Sequence, residues 1–246
     1  MRFLVQNRQL LLAADRYLQC YKRQHKSINM EITGLDKVIY TVGRITPNGV
    51  NLLGTCFLLN KDGLFATASH VTNNDNNNLV IFVSGKTDLN TYQDTSDNQG
   101  QTVPASIYKV DPVRDICILK IDNPAKANLQ IGGSDDVKVT DNLGVVGFPH
   151  CVNGRNILTF QNTVVGAKVL IESSGIKSKH LILNIQTRPG QSGSPIFRLS
   201  DSRLVGMIIG SYVPGGGGGI SLGGVDPHTL HQTTHAVSAE YILKMI

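Results

Sequence analysis

From residue 37 onward the chain alternates short apolar runs with clusters of turn residues, a pattern that predicts strands of a half-buried sheet. Residues 38–45 and 50–59 are two such runs on either side of Pro47-Asn48-Gly49, and they predict a hairpin. The turn Asn60-Lys61-Asp62-Gly63 leads into Thr67-Ala68-Ser69-His70-Val71, and a polar loop at residues 73–78 precedes a strand at 79–83. Residues 86–101 hold few apolar positions and are expected to form a mobile loop. Strands at 105–110 and 116–121 complete a first set, and near Asn123-Pro124-Ala125 the chain crosses to a second. The second set is placed near residues 142–148, 157–169, 180–186, 194–198, 204–210 and 235–237.

Helical spacing occurs only at the two ends. Leu10, Leu11, Leu12, Ala14, Tyr17, Leu18 and Tyr21 follow a spacing close to i, i+3, i+4, i+7, so residues 8–26 predict an amphipathic helix. It is either a packed N-terminal cap or a surface that docks a partner protein. Residues 239–246 predict a second, C-terminal helix. Gly215 to Gly219, with Gly223-Gly224 beyond, is expected to be a flexible loop. It is no phosphate-binding loop, because no Lys-Ser/Thr follows it and no helix is predicted there.

With 246 residues the chain can bury a sizeable core without staples. Only 17% of residues are charged, so the formal +5 is a mild excess, and Lys22-Arg23-Gln24-His25-Lys26 is the nearest approach to a basic tract. A nucleic-acid partner is not expected. Four cysteines without a C-x-x-C pair, and no clustered histidines, give no reason to expect a metal or another cofactor. Cys56 and Cys117 lie in apolar runs and read as reduced, core-filling side chains, with a Cys56–Cys117 bridge left open. Gln, Asn and Arg interrupt residues 1–8 too early for a signal peptide, and no run approaches about 18 apolar residues. The sequence therefore predicts a cytoplasmic protein with no membrane association.

The candidate chemistry centres on Gly190-Gln191-Ser192-Gly193-Ser194-Pro195, between the apolar runs 181–185 and 196–197. A serine flanked by glycines can expose its hydroxyl on a tight turn while the N–H groups of Gly190 and Ser192 face one developing oxyanion. A plain glycine-rich turn is the competing reading. His70, just beyond two paired strands, is placed to act as a general base. Asp115 enters an apolar strand, where a carboxylate needs a partner, and an imidazole Nδ1–H is a suitable one. Asp111 is the rival carboxylate, but it precedes Pro112 and lies outside the apolar strand.

Taken in order, G-T-C-F, T-A-S-H-V, D-I-C-I-L-K-I and P-G-Q-S-G-S-P resemble the motifs of the chymotrypsin-fold serine peptidases, over roughly residues 38–246. The resemblance is strongest to the bacterial branch holding the V8-like glutamyl endopeptidases and the HtrA protease domains. The order is His, Asp, Ser, with spacings of 45 residues (115 minus 70) and 77 residues (192 minus 115). The resemblance implies an all-β fold of two antiparallel six-stranded β-barrels with an N-terminal and a C-terminal helix. Residues 1–28 would be the helical extension, 29–126 the barrel carrying His and Asp, and 127–246 the barrel carrying Ser.

The resemblance also implies a serine endopeptidase acting on protein or peptide substrates, with His70, Asp115 and Ser192 as its triad and Gly190 and Ser192 as its oxyanion hole. A catalytically silent, protease-like binding module is the alternative. Gln191 stands where chymotrypsin-type zymogens hold an aspartate that pairs with a new N-terminus, so activation by N-terminal cleavage is not expected. The S1 pocket would be walled by Gln186, Thr187, Ile208, Ile209, Gly210, Ser211 and His235, and the glycine run would lie beside the cleft. Thr187 looks like the glutamyl endopeptidases, but Ile208 stands where they place a histidine. An acidic or small polar P1 residue, held by His235 and Thr187, therefore competes with an aliphatic one set by Ile208 and Ile209.

Overall fold

The apolar alternation read along the chain becomes, in a computed structural model, two antiparallel sheets. The structure describes Gly34 and residues 36–85, 88–212 and 233–246. The predicted N-terminal helix and the glycine run lie outside the described residues.

β1 (Ile39–Thr46) and β2 (Gly49–Leu58) form the expected hairpin, with Thr46 opposite Gly49. β3 (Leu64–Ala68), β4 (Leu79–Val83), β5 (Gln101–Pro104), β6 (Ser106–Asp111) and β7 (Ile116–Lys120) complete a seven-stranded sheet in the order β5-β4-β1-β2-β3-β7-β6. This first unit is a half-barrel, where the sequence led us to expect a closed one. β5 and β6, at opposite ends of the strand order, are joined by the single residue Ala105. The two edges therefore meet through the chain and not through a ladder of hydrogen bonds.

The second unit does close. β8 (Asn142–Gly147), β9 (Thr159–Ser173), β10 (Ile176–Leu183), β11 (Pro195–Arg198), β12 (Leu204–Tyr212) and β13 (Thr233–Ser238) form a barrel in the order β10-β13-β12-β11-β8-β9. Strand alternation divides its side chains between two environments. Leu143, Val145, Leu181, Ile196, Ile208 and Ala236 fill the barrel. Their neighbours Val146, Phe197, Met207 and Val237 belong instead to the apolar cluster that includes Phe57, Phe65 and Ile118 of the first sheet. Each such side chain contributes about 1.5–3 kcal/mol on burial, so this shared cluster fixes one unit against the other.

Ala127 N–H bonds to the carbonyl of Leu59, and Leu204 N–H bonds to the carbonyl of Gln130, so the chain passes from one unit to the other between these contacts. Two short α-helices are described, α1 (Ser69–Thr72) and α2 (Glu240–Leu243); α2 is the single turn formed by the predicted C-terminal helix. The polar loop after β4 is anchored in its middle, because the Gln93 side-chain amide bonds to both the N–H and the carbonyl of Leu158, each at 2.8 Å. Cys56, Cys117 and Cys151 are buried free thiols.

Candidate active site

His70 sits in α1, a single turn entered directly from β3. The turn ends at Asn73 in the left-handed region (φ 50°), whose N–H bonds to the carbonyl of Ser69. The last carbonyls of any helix lack partners within it. Here Arg44 of β1 supplies one for the last: its guanidinium donates to the carbonyl of Thr72 (2.7 Å), and beyond the helix to those of Asp75 (2.7 Å) and Asn77 (2.5 Å), and pairs with the Asp75 carboxylate at 3.2 Å.

Asp115 opens β7 from a left-handed conformation (φ 57°), which aspartate tolerates better than most residues. The preceding turn is closed by Asp111, whose carboxylate accepts from the N–H (3.1 Å) and the guanidinium (2.6 Å) of Arg114. Asp111 is thus occupied with Arg114, and Asp115 is the carboxylate that meets His70. Its Oδ2 lies 2.6 Å from His70 Nδ1, its Oδ1 accepts from the His70 main-chain N–H at 2.9 Å, and its carbonyl accepts from Ser69 N–H at 3.1 Å. One carboxylate therefore fixes both the ring and the backbone that carries it. With an acceptor at Nδ1, the ring holds its proton there, and Nε2 is left as the basic nitrogen.

Ser192 lies in a turn that two glycines make possible. Gly190 (φ 93°) and Gly193 (φ 87°) are left-handed. A Cβ at Gly193 would lie 2.0 Å from the carbonyl oxygen of Thr55, and one at Gly190 would lie 2.7 Å from that of Phe148. The turn's donors divide into two groups. Gln191 N–H bonds to Arg188 (3.0 Å), Gly193 N–H to Ile208 (2.8 Å) and Ser194 N–H to Gln191 (2.9 Å), all at carbonyl oxygens. The N–H groups of Gly190 and Ser192 have no such acceptor among the described residues. The Pro189 carbonyl accepts from His150 N–H at 2.6 Å, and in a trans peptide this turns the Gly190 N–H to the opposite side.

The two units meet beside these residues. A Cβ at Gly54 would lie 2.8 Å from Val71, next to His70, and 3.1 Å from the carbonyl oxygen of Ser192, so only glycine lets α1 and the Ser192 turn come this close. A cleft of about 400 Å³ opens alongside, lined by His70, Val71, Leu52, Leu53 and Val152.

Thr55 is one of the residues that sequence reasoning missed. Its N–H donates to the Ser192 carbonyl (3.0 Å), its hydroxyl donates to the Gly190 carbonyl (2.8 Å) and accepts from Phe148 N–H (3.1 Å), and its carbonyl accepts from the Thr67 hydroxyl (2.7 Å). The available signal was a threonine inside the apolar run 52–59.

Around the expected S1 walls, Thr187 is buried and its N–H donates to the Thr234 hydroxyl at 3.2 Å; that hydroxyl donates in turn to the Ile185 carbonyl at 2.6 Å. Gln186 accepts from the Arg188 guanidinium. Ile208 is fully buried in the barrel opposite Ala236, Ile209 sits at a bulge and is half-buried, and Gly210 and Ser211 pair with His235 and Thr234. His235 and Thr187 were expected to act together on an acidic or small polar P1 side chain. Side chains alternate along β13, so Thr234 and Ala236 share one face and His235 and Val237 the other.

His235 lies on the same face as His180, which is opposite Val237 on β10. His180 is buried and pushed down to about 4, by burial first, then by His235 and Arg114. Burial also lowers His235. Among the described residues no group of three His, Cys, Asp or Glu side chains could hold a metal ion.

The model of the trypsin-like peptidase domain family matches residues 54–207. A probable periplasmic serine endoprotease, DegP-like, from Pseudomonas fulva is 25% identical over 169 residues, 67% of this chain and 30% of the relative. The chain therefore spans about 30% of the length of that relative. The active form of the Rv3671c protease from M. tuberculosis superposes with a TM-score of 0.64 at 15% identity, covering 88% of this chain and 82% of that one. The HtrA-type protease AlgW with a tripeptide gives 0.58 at 18% identity, covering 84% and 58%. These two likenesses show the fold. The expectation of a cytoplasmic protein is overturned: the matched DegP-like relatives are named as periplasmic, which points to an exported protein.

Proposed function

The chain belongs to the trypsin-like peptidase domain family, and from this premise we propose that it is a serine endopeptidase of the HtrA type working through His70, Asp115 and Ser192. Ser192 Oγ attacks the scissile carbonyl, and His70 Nε2 takes the hydroxyl proton and returns it to the leaving amine. Asp115 keeps the ring oriented and stabilises the imidazolium. The oxyanion is received by the N–H groups of Gly190 and Ser192, where each donor is worth about 10²–10³ in kcat. A water activated by His70 then hydrolyses the acyl-enzyme.

The observation that carries this reading is the Asp115 carboxylate at 2.6 Å from His70 Nδ1, with its other oxygen on the same residue's main chain. An arrangement that only capped α1 would not also need to set the tautomer of a half-exposed imidazole. Substrates are peptides or proteins, and the peptide-bound state of AlgW supports this class. The P1 side chain is aliphatic or small: Ile209 is the half-buried apolar side chain of the expected wall, Ile208 being sealed inside the barrel, and Thr187 and Thr234 hydrogen-bond to one another.

Labelling with a serine-reactive fluorophosphonate tests the reading. Wild-type protein takes up one label at Ser192, and Ser192→Ala and His70→Ala do not. Stoichiometric labelling of Ser192→Ala would refute the assignment. A peptide library that gives cleavage after Glu would refute the specificity.

A further inference from the structure

Gln191, next to the nucleophile, has its whole side chain buried and every bond of that amide goes to a neutral group. Its Oε1 accepts from Arg188 N–H at 2.7 Å, and its Nε2 donates to Oε1 of Gln161, on β9, at 2.5 Å. The first bond closes the 188–191 turn on itself and adds to the main-chain bond from Gln191 N–H to the Arg188 carbonyl. The second ties that turn to the barrel wall, where Gln161 is held opposite Val145 by the β8–β9 ladder.

This matters because the turn contains the peptide with most freedom to rotate. Gly190 has no Cβ to restrict it, and rotation of the Pro189–Gly190 peptide would swing the Gly190 N–H away from Ser192. The bonds that oppose such rotation include those from His150 to the Pro189 carbonyl, from Thr55 and, at 3.7 Å, the Cys151 thiol to the Gly190 carbonyl, and those between the Gln191 amide and its two partners. Only the last reaches β9 and the wall behind the turn.

We propose that Gln161 is a positioning residue for the oxyanion turn: by accepting from Gln191 it holds residues 188–192 in the conformation that aims the Gly190 and Ser192 N–H groups together. The latch is uncharged and assembled within the barrel, so the turn is set without an ion pair to a chain terminus. This rests on the reading of Ser192 as the nucleophile. The donors it positions act on charge that develops in the transition state, so its loss falls on kcat and not on KM.

Two variants separate the acceptor from the packing. Gln161→Leu removes the oxygen at similar volume and strands a buried donor, whereas Gln161→Glu keeps an acceptor at the same reach. Three quantities are read: kcat and KM on a peptide substrate, the fluorophosphonate labelling rate, and amide hydrogen exchange over residues 187–194. Gln161→Leu is expected to lower kcat and the labelling rate roughly ten- to a hundredfold, with KM nearly unchanged and exchange faster at the turn. Gln161→Glu is expected to remain within about threefold of wild type.

Equal damage in both variants, a loss confined to KM, or full activity in folded Gln161→Leu would overturn the proposal. Should Gln161→Leu not fold, Gln161→Met takes its place under the same outcomes. If wild-type protein neither labels nor cleaves, it is the peptidase reading that fails. Exchange then decides the latch alone: faster exchange in Gln161→Leu but not in Gln161→Glu supports it, and equal exchange in both refutes it.

Discussion

Replacing Thr55 by valine changes shape hardly at all and removes one oxygen that serves both units. The hydroxyl donates to the Gly190 carbonyl and accepts from Phe148 N–H, at 2.8 and 3.1 Å, and all three groups are buried. Valine leaves the Phe148 N–H without a partner and the Gly190 carbonyl with only the weak donor of the Cys151 thiol at 3.7 Å, and it opens no cavity. Each stranded group costs about 1–3 kcal/mol, so the sum is at most about 2–6 kcal/mol, and about 1–5 kcal/mol after the gain of about 0.8 kcal/mol from burying a methyl. That is large for a single isosteric change. The assay is urea unfolding in a Ser192→Ala background, which avoids self-digestion, with kcat and KM measured in the active protein. Stability should fall by the stated amount and kcat by about tenfold, because the Gly190 carbonyl belongs to the turn proposed to receive the oxyanion. Thr55→Ser keeps the hydroxyl and should lose only about 1 kcal/mol. If Thr55→Val were as stable as wild type within about 0.5 kcal/mol, or if Thr55→Ser were equally damaged, the hydroxyl would not be what joins the units.

Asp115→Asn should keep the fold, since an amide oxygen can still accept from His70 N–H, but should lower kcat by about 10⁴ by favouring the wrong ring tautomer; activity within tenfold of wild type would contradict the assigned role. Arg44→Met removes the guanidinium from the carbonyls of Thr72, Asp75 and Asn77, and hydrogen exchange at residues 69–77 should rise while the second barrel is unaffected. His180 gives a pH dependence of stability. Its folded value near 4 lies below the ordinary histidine value of about 6.5, so between these limits the unfolded chain binds more protons and stability rises with pH. Its contribution is complete above about pH 6.5, falls by about 2 kcal/mol on going to pH 5, and is lost near pH 4 after about 3 kcal/mol in all. Unfolding free energies at pH 5 and 7.5 check this, and His180→Leu should remove most of the difference.

What was legible in the sequence follows from how local each signal is. The hairpin before His70 and the glycines around Ser192 are read from neighbouring residues, because turn chemistry and strand alternation act over a few positions. The choice of Asp115 over Asp111 came from the apolar strand that follows it, and the structure occupies Asp111 with Arg114. Thr55, Gln161 and Thr234 were not legible as parts of the site. Each is a polar residue in or beside a strand, and its importance comes from a partner far along the chain, as when Thr55 meets Gly190. The face that His235 takes was not legible either, because a strand's two faces differ by one residue and register settles that only after the strands pair. The closed first barrel was expected from the resemblance; the one-residue link at Ala105 leaves its edges without a ladder.

His70 and Asp115 come from the half-barrel and Ser192 from the closed barrel. Each half alone is chemically ordinary: one carries an oriented imidazole with no hydroxyl to deprotonate, the other a serine with no base. Reactivity toward a fluorophosphonate is therefore a coincidence signal for two surfaces meeting. The chain cut between Leu129 and Gln130 would make a split reporter, silent as separate fragments and reactive when the cluster around Phe57, Phe197 and Met207 draws them together.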